Sequence, residues 1–93
     1  MSFAPLPVSI QDQFIELMQM NDAASTIAFL NNQNISDVAI LINDNPNHEA
    51  QIIGNMSINR AAKVFKLLDF AQQKDIIKAL PNIKTAELLN ELP

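Results

Sequence analysis

The sequence has no cysteine, no tryptophan and no tyrosine, and only one glycine among its 93 residues. Without cysteine the chain can form neither a disulfide framework nor a thiolate metal site, and a cytosolic setting is natural. With a net charge of −4 and no Trp or Tyr, the chain is poorly suited to phosphate backbones or base stacking. We therefore expect no nucleic-acid partner.

Long apolar runs are also missing. The longest stretch without a charge, residues 23–36, is interrupted by Ser, Thr, Asn and Gln and is too short to cross a bilayer. The N-terminal sequence MSFAPLPVSI lacks the basic leader and apolar core of a signal peptide. Apolar residues make up 48% of the chain and charged residues 17%, which favours a packed globule. We expect one soluble domain that does not insert into a membrane.

Lysine and arginine are absent before Arg60, a part of the chain that contains six acidic residues. From Arg60 onward there are six basic and four acidic residues. The two parts therefore carry charges of −6 and +2. The first 59 residues are strongly acidic.

Apolar residues recur at helical spacing in seven short segments, and the alternating runs that a sheet needs are absent. Polar residues suited to helix N-termini precede most segments, and Pro46 suits the first turn of the fourth. In the second segment the predicted apolar stripe is Ala24, Ile27, Ala28 and Leu30. The sixth helix is predicted over about residues 71–80. The predicted core includes Phe14, Ile27, Val38, Leu41, Ile53, Val64, Phe65, Leu68, Ile77, Leu80 and Leu89.

The segments repeat. ISDVAILI (35–42) is similar to INRAAKVF (58–65), an offset of 23 from Ile35 to Ile58, and Ile83 with Ala86 begins a third copy at an offset of 25 from Ile58. QIIGNMS (51–57) aligns with DIIKALP (75–81) at an offset of 24. Two helices in about 24 residues indicate a helical-hairpin repeat. In it, Ala61 and Ala62 serve packing, because small side chains let a neighbouring helix approach closely.

Three segments then carry a recognisable theme: AAKVFKLL (61–68), DIIKALP (75–81) and AELLNELP (86–93). NISDVAILIND (34–44) fits the preceding repeat, with Asp37 in its early-turn acidic position. From about Ile10 to Pro93 this rhythm resembles the N-terminal cytosolic domain of MgtE-type magnesium transporters. Flagellar motor-switch proteins contain similar short-helix repeats, but ALP and ELP at successive helix ends favour the transporter family.

The resemblance implies a right-handed superhelix of short helices, followed in the same chain by paired CBS domains, a connecting helix and a transmembrane pore. It implies a homodimer, with this domain on the cytoplasmic side of the bacterial inner membrane. It also implies a mechanism in which Mg²⁺ between acidic faces of the N-terminal and CBS domains closes the pore. Mg²⁺ keeps much of its water and bridges carboxylates that it does not fully enclose. The acidic first 59 residues are compatible with that role.

Two features depart from the family pattern. Lys63 stands where family members often have a glutamate that faces the CBS domain, so the contact there would be lost or become a direct salt bridge. The pattern also usually continues past ELP with a further acidic helix, whereas this sequence stops at Pro93. We therefore expect the native protein to continue, with residues 1–8 as an extended or disordered tail and residues 9–93 as the domain.

The best remaining Mg²⁺ ligands are Glu87 and Glu91, an i, i+4 pair on the last helix. Alone they are expected to bind weakly, and no tightly bound cofactor is expected, because the facing domain would supply the other ligands. Arg60, Lys63 and Lys66 follow one side of the fifth helix, as a solvated face or as a docking stripe for a partner.

No catalytic residue is predicted. His48, the sole histidine, is expected in a solvated loop or first helical turn, and Asp12 and Glu16 on a solvated helix face. Three serines stand where helix caps belong and lack a companion histidine: Ser9, Ser36 and Ser57. An enzyme therefore has almost no support.

Two functions remain open: a regulatory, magnesium-sensing and pore-gating domain of a transporter, and a generic helical-repeat interaction module of the motor-switch kind. The gene sequence beyond Pro93 distinguishes them. CBS repeats followed by several apolar spans would establish the transporter.

Overall fold

The computed structural model describes residues 9–93, and within them every regular element is helical. The predicted tail of residues 1–8 lies outside the described residues. The helices are α1 (Ile10–Met20), α2 (Ala23–Asn32), α3 (Ile35–Asp44), α4 (Glu49–Gly54), α5 (Ile58–Phe65), α6 (Phe70–Ala79) and α7 (Asn82–Asn90). The prediction of an all-α fold with about seven helices is confirmed. Pro46 begins a separate 3₁₀ turn, Pro46–His48, directly before α4.

Side-chain caps set three of the helix starts. The Ser9 hydroxyl accepts a hydrogen bond from the Asp12 amide at 3.0 Å and so begins α1. Asp22 caps α2, and the hydroxyl and amide of Ser25 both donate to its carboxylate, which lowers the Asp22 pKa. Asp69 forms a capping box with Gln72 at the start of α6. Predicted capping is therefore confirmed at Ser9 and Asp22.

The other predicted serine caps behave differently. Ser36 lies inside α3, whose N-cap position is held by Asn34 without a side-chain hydrogen bond. Ser57 occupies the N-cap position of α5, also without a side-chain bond. Its backbone amide instead donates to Asn31 Oδ1 at 2.8 Å, which ties the start of α5 to the end of α2.

The tertiary structure is a ladder in which helices contact those two positions further along the chain. α1 packs on α3, α3 on α5 and α5 on α7, while α4 packs on α6 in a parallel row. This arrangement is what a helical-hairpin repeat produces, since each unit buries its apolar face on the next. The right-handed sense of the superhelix stays a prediction.

Burial follows the repeat most closely in α3 and α5. All eight equivalent positions are buried: Val38, Ala39, Leu41 and Ile42 in α3, and Ala61, Ala62, Val64 and Phe65 in α5. α5 lies between α3 and α7, so its paired alanines are enclosed where two helices approach it. Their predicted packing role agrees with that position.

The third copy of the repeat was predicted in the wrong register. The N-cap residues Ser57 and Pro81 are 24 positions apart, so Leu88 is equivalent to Val64 and is fully buried. Leu89, predicted as core, is 45% exposed. Ile83 and Ala86, which set the predicted offset of 25, are also exposed. A shift of one residue turns a helix by about 100° and moves the apolar stripe off the contact.

Two further core predictions need correction. Ile27 is 42% exposed, together with Ala24 and Ala28, because α2 packs on α1 through the face that contains Thr26 and Leu30. Thr26 is buried at little cost because its hydroxyl donates to the Asp22 carbonyl at 2.9 Å. Ile77 is only partly buried, and the adjacent Ile76 takes the core position in α6.

We predict that Ala61→Leu destabilises the domain by about 1–3 kcal/mol, because three added carbons must enter a fully enclosed helix contact. Thermal unfolding followed by circular dichroism measures the change. Ala71→Leu, at an exposed position of α6, is the matched control and should unfold like the parent. Equal melting temperatures for Ala61→Leu and the parent would contradict the packing role of the alanines.

Candidate functional site

The two predicted magnesium ligands lie at the end of the ladder. Glu87 is on α7 and Glu91 at its C-cap, one turn apart, and both side chains are exposed. Within residues 9–93 no group of three His, Asp or Glu side chains is arranged to hold a metal ion. Glu87 and Glu91 therefore offer at most two carboxylates to an ion whose remaining ligands come from water or from another surface.

The acidic first part of the chain presents its carboxylates outward. Asp12 and Glu16 are exposed on one side of α1. Asp37 and Asp44 of α3 line a hollow of about 70 Å³ between α1 and α3. These carboxylates can reach an ion or a cationic group that approaches from solvent, but Asp12 and Glu16 make no site with each other.

The predicted cationic stripe on α5 divides in two. Lys63 and Lys66 are exposed, whereas Arg60 is half-buried and turns back toward α2. Its Nη2 donates to the Leu30 carbonyl at 3.3 Å and to the Gln33 carbonyl, and its Nε is buried without a hydrogen-bond partner in the described part of the chain. Arg60 thereby satisfies carbonyls that the end of α2 leaves free. Only the two lysines remain available to a partner.

Glu49 is a buried carboxylate that the sequence analysis did not single out. Its side chain is 9% exposed at the start of α4, which faces α6. Burial raises the Glu49 pKa, and the nearby carboxylates of Asp75 and Asp69 raise it further. A single sequence gives no signal for this, because the acids that face Glu49 come from the following repeat.

We predict that Glu49→Gln stabilises the domain at neutral pH. Because the folded pKa of Glu49 is raised, its contribution to stability is complete below the ordinary value of 4.5 and is lost as the pH rises through the folded pKa. Glutamine removes that loss, so the variant should melt above the parent at pH 7 and like it near pH 4. Thermal melts at both values measure this.

Glu16→Gln is the matched control for that comparison, since it makes the same chemical change at an exposed position. Its melting temperature should follow the parent at both pH values. A Glu49→Gln variant that melts below the parent at pH 7 would mean that the carboxylate stabilises the fold, contrary to this account.

Polar side chains also connect α1 to the end of α3. Gln11 and Asn45 exchange two amide hydrogen bonds, at 3.0 and 2.6 Å, and Asn45 also donates to the Leu41 carbonyl at 2.8 Å. Beside them His48 ends the 3₁₀ turn and packs edge-on against Phe14, with ring centroids 5.9 Å apart. His48 is thus partly enclosed by an aromatic contact, where a solvated position had been predicted.

Two apolar grooves lie near opposite ends of the ladder. One, of about 330 Å³, is formed by α1 and α2 and is lined by residues that include Leu17, Met20 and Phe29. The other, of about 450 Å³, lies against α6 and α7 and is the more apolar of the two. Neither contains a nucleophile with an adjacent base. The expectation that the chain is not an enzyme stays a prediction.

The family comparison agrees with this geometry. The family model described as MgtE intracellular N domain matches residues 33–93, which is more than half of the chain and includes all of α3 to α7. The chain belongs to the MgtE intracellular N domain family. The resemblance read from the sequence began near Ile10, so α1 and α2 of this MgtE N domain lie before the matched segment.

No curated protein and no solved structure matches this MgtE N domain. Among its described helices, none has the length and apolar character required to span a bilayer.

Proposed function

We propose that this MgtE N domain is the cytosolic regulatory part of a magnesium transporter on the bacterial inner membrane, where it senses Mg²⁺ and controls the pore. The observation that carries the proposal is the family match over residues 33–93. The partners are the CBS and transmembrane domains of the same chain and a second subunit of a homodimer. The domain itself performs no catalysis.

The distribution of carboxylates supports a divided ion site. Mg²⁺ requires near-octahedral oxygen geometry and usually binds one or two carboxylates while it retains several waters. The domain offers exposed acids on α1, on α3 and on α7, and no three acids are arranged to hold an ion among residues 9–93. A facing acidic surface, such as that of a CBS domain, would complete the coordination.

A divided site also provides a way to switch the pore. Two acidic faces repel each other until a cation lies between them, so the bound ion favours the state in which the domains are close. An ion that moves such an equilibrium from 1:99 to 99:1 must bind the closed state about 10⁴-fold more tightly than the open state. Ligands that converge only in the closed state provide such a difference, and a preformed site within one domain does not.

We predict that the 93-residue chain binds Mg²⁺ weakly and without defined stoichiometry. At about 0.15 M salt, screening leaves little net attraction between Mg²⁺ and a diffuse acidic surface. Calorimetric titration and amide NMR shifts measure the binding. The contrary result is a saturable site tighter than about 1 mM that is lost in Glu87→Gln/Glu91→Gln, which would make the domain a sensor by itself.

We predict that, in a transporter that contains this domain, deletion of residues 9–93 raises by about tenfold or more the Mg²⁺ concentration that closes the pore, a typical allosteric coupling. Mg²⁺ uptake into vesicles loaded with an indicator dye measures closure. Asn59→Ala, at an exposed neutral position, is the control. If the deletion leaves the closing concentration unchanged, the domain does not regulate the pore.

The second candidate is a helical-repeat module that binds another protein. The specific observation in its favour is the open apolar groove against α6 and α7. Lys63 and Lys66 add an exposed cationic stripe on α5 that suits an acidic partner. The uptake experiment separates the two candidates, since only a regulatory domain changes the closing concentration.

A further inference from the structure

The ladder ends in an uncovered apolar groove, here called the end groove. It has a volume of about 450 Å³, and its lining includes Phe70, Lys74, Ile77, Lys78, Leu89 and Leu92. Phe70 is 78% exposed and Leu89 45% exposed, while the two lysines stand at its edge in solvent. A large apolar surface edged by polar groups is typical of an interaction site.

The repeat indicates which kind of element fits the end groove. At the offset of 24 residues, Ala50, Ile53 and Gly54 of α4 are equivalent to Lys74, Ile77 and Lys78 of α6. α6 covers that face of α4: Ile53 is 1% exposed, and a Cβ built on Gly54 would lie 3.4 Å from Leu80 Cδ2. The equivalent face of α6 lines the end groove and is partly open.

The parallel row of helices leads to the same conclusion. Phe65 of α5 is equivalent to Leu89 of α7 at the same offset, and Phe65 is 3% exposed because α7 packs on α5. Within residues 9–93 no helix follows α7, and Leu89 remains open. The end groove therefore has the form of a seat for one more helix.

Charge determines which helix suits this seat. Lys74 and Lys78 at its edge favour a helix whose apolar stripe is flanked by acids. α1 presents such a stripe on the side away from Phe14, through Asp12, Ile15, Glu16, Gln19 and Met20, at spacings of three, four and five residues. All five side chains are exposed, and Met20 is 62% exposed. α1 contains two acids and no cation.

We propose that the end groove binds α1 of a second copy of this chain, so that copies associate head to tail. Ile15 and Met20 of one copy pack against the apolar lining of the other, and Asp12 and Glu16 face Lys74 and Lys78. The contact joins two different surfaces, so it is heterologous and forms rings or open chains of copies. It is independent of the proposed magnesium function and requires no ion.

The test is self-association of the 93-residue chain by analytical ultracentrifugation over a range of concentrations. Association is expected to rise with concentration and to weaken several-fold between 0.05 and 0.5 M salt, because screening shortens the reach of exposed charges. Lys74→Glu/Lys78→Glu and, separately, Asp12→Lys/Glu16→Lys are each expected to lower the association constant by about tenfold or more. A mixture of the two variants is expected to associate again, because each groove then meets a stripe of opposite charge.

The control is Lys63→Glu/Lys66→Glu on α5, which makes the same change in net charge outside the end groove and should leave self-association as in the parent. Circular dichroism checks that each variant folds. Met20→Gln and Leu89→Gln alter exposed apolar contacts without reversing a charge, and each should weaken association.

Three outcomes would overturn the proposal. A chain that stays monomeric at all concentrations would leave the groove to a helix from another source. Association that responds to the α6 variant but not to the α1 variant would assign the groove to a different helix. Mixed variants that fail to associate although each is folded would exclude the paired charges.

Discussion

The contact between each helix and the helix two positions further along the chain is the interaction on which the rest of this domain depends. The helices contain 6 to 11 residues, and isolated helices of that length are marginal in water. Their stability must come from burial against neighbours, and the row α1, α3, α5, α7 with the row α4, α6 supplies it. The paired alanines at the centre of the first row let α5 meet two helices at once, since Ala61 and Ala62 bury little volume of their own.

Sequence reasoning predicted the middle of this ladder well because a helix packed on two sides has one consistent apolar face. The eight equivalent positions of α3 and α5 are an example, since hydrophobic spacing and burial coincide there. It failed at the ends of the array. α2 and α7 carry more apolar residues than their neighbours can cover, so Ile27 and Leu89 look like core residues in the sequence and lie open in the structure. Choosing between offsets of 24 and 25 for α7 required knowledge of which apolar stripe has a neighbour, and local spacing does not contain it.

Charged residues were harder to place because their partners lie in other repeats. Arg60 reads as one member of a surface stripe, yet its guanidinium donates to carbonyls of Leu30 and Gln33 at the end of α2. Glu49 reads as an ordinary first-turn acid, yet it is buried beside Asp69 and Asp75 from the next hairpin. Both groups carry a cost of desolvation that only tertiary contacts reveal. The capping of α1 and α2 by Ser9 and Asp22 was predictable for the opposite reason, because a cap bonds to amides three residues away.

The same ladder explains why the functional surfaces lie outside the core. Packing between repeats uses apolar residues and leaves nearly all carboxylates and lysines in solvent, with acids in the first part of the chain and cations in the second. A domain built this way has no interior in which to assemble a charged site, and an ion site or a helix seat is completed only by a second surface. For magnesium that surface is proposed to be another domain of the same protein, and for the end groove it is proposed to be α1 of another copy. In both cases the free energy that drives the response arises between surfaces, so a change in assembly alters function without altering the fold.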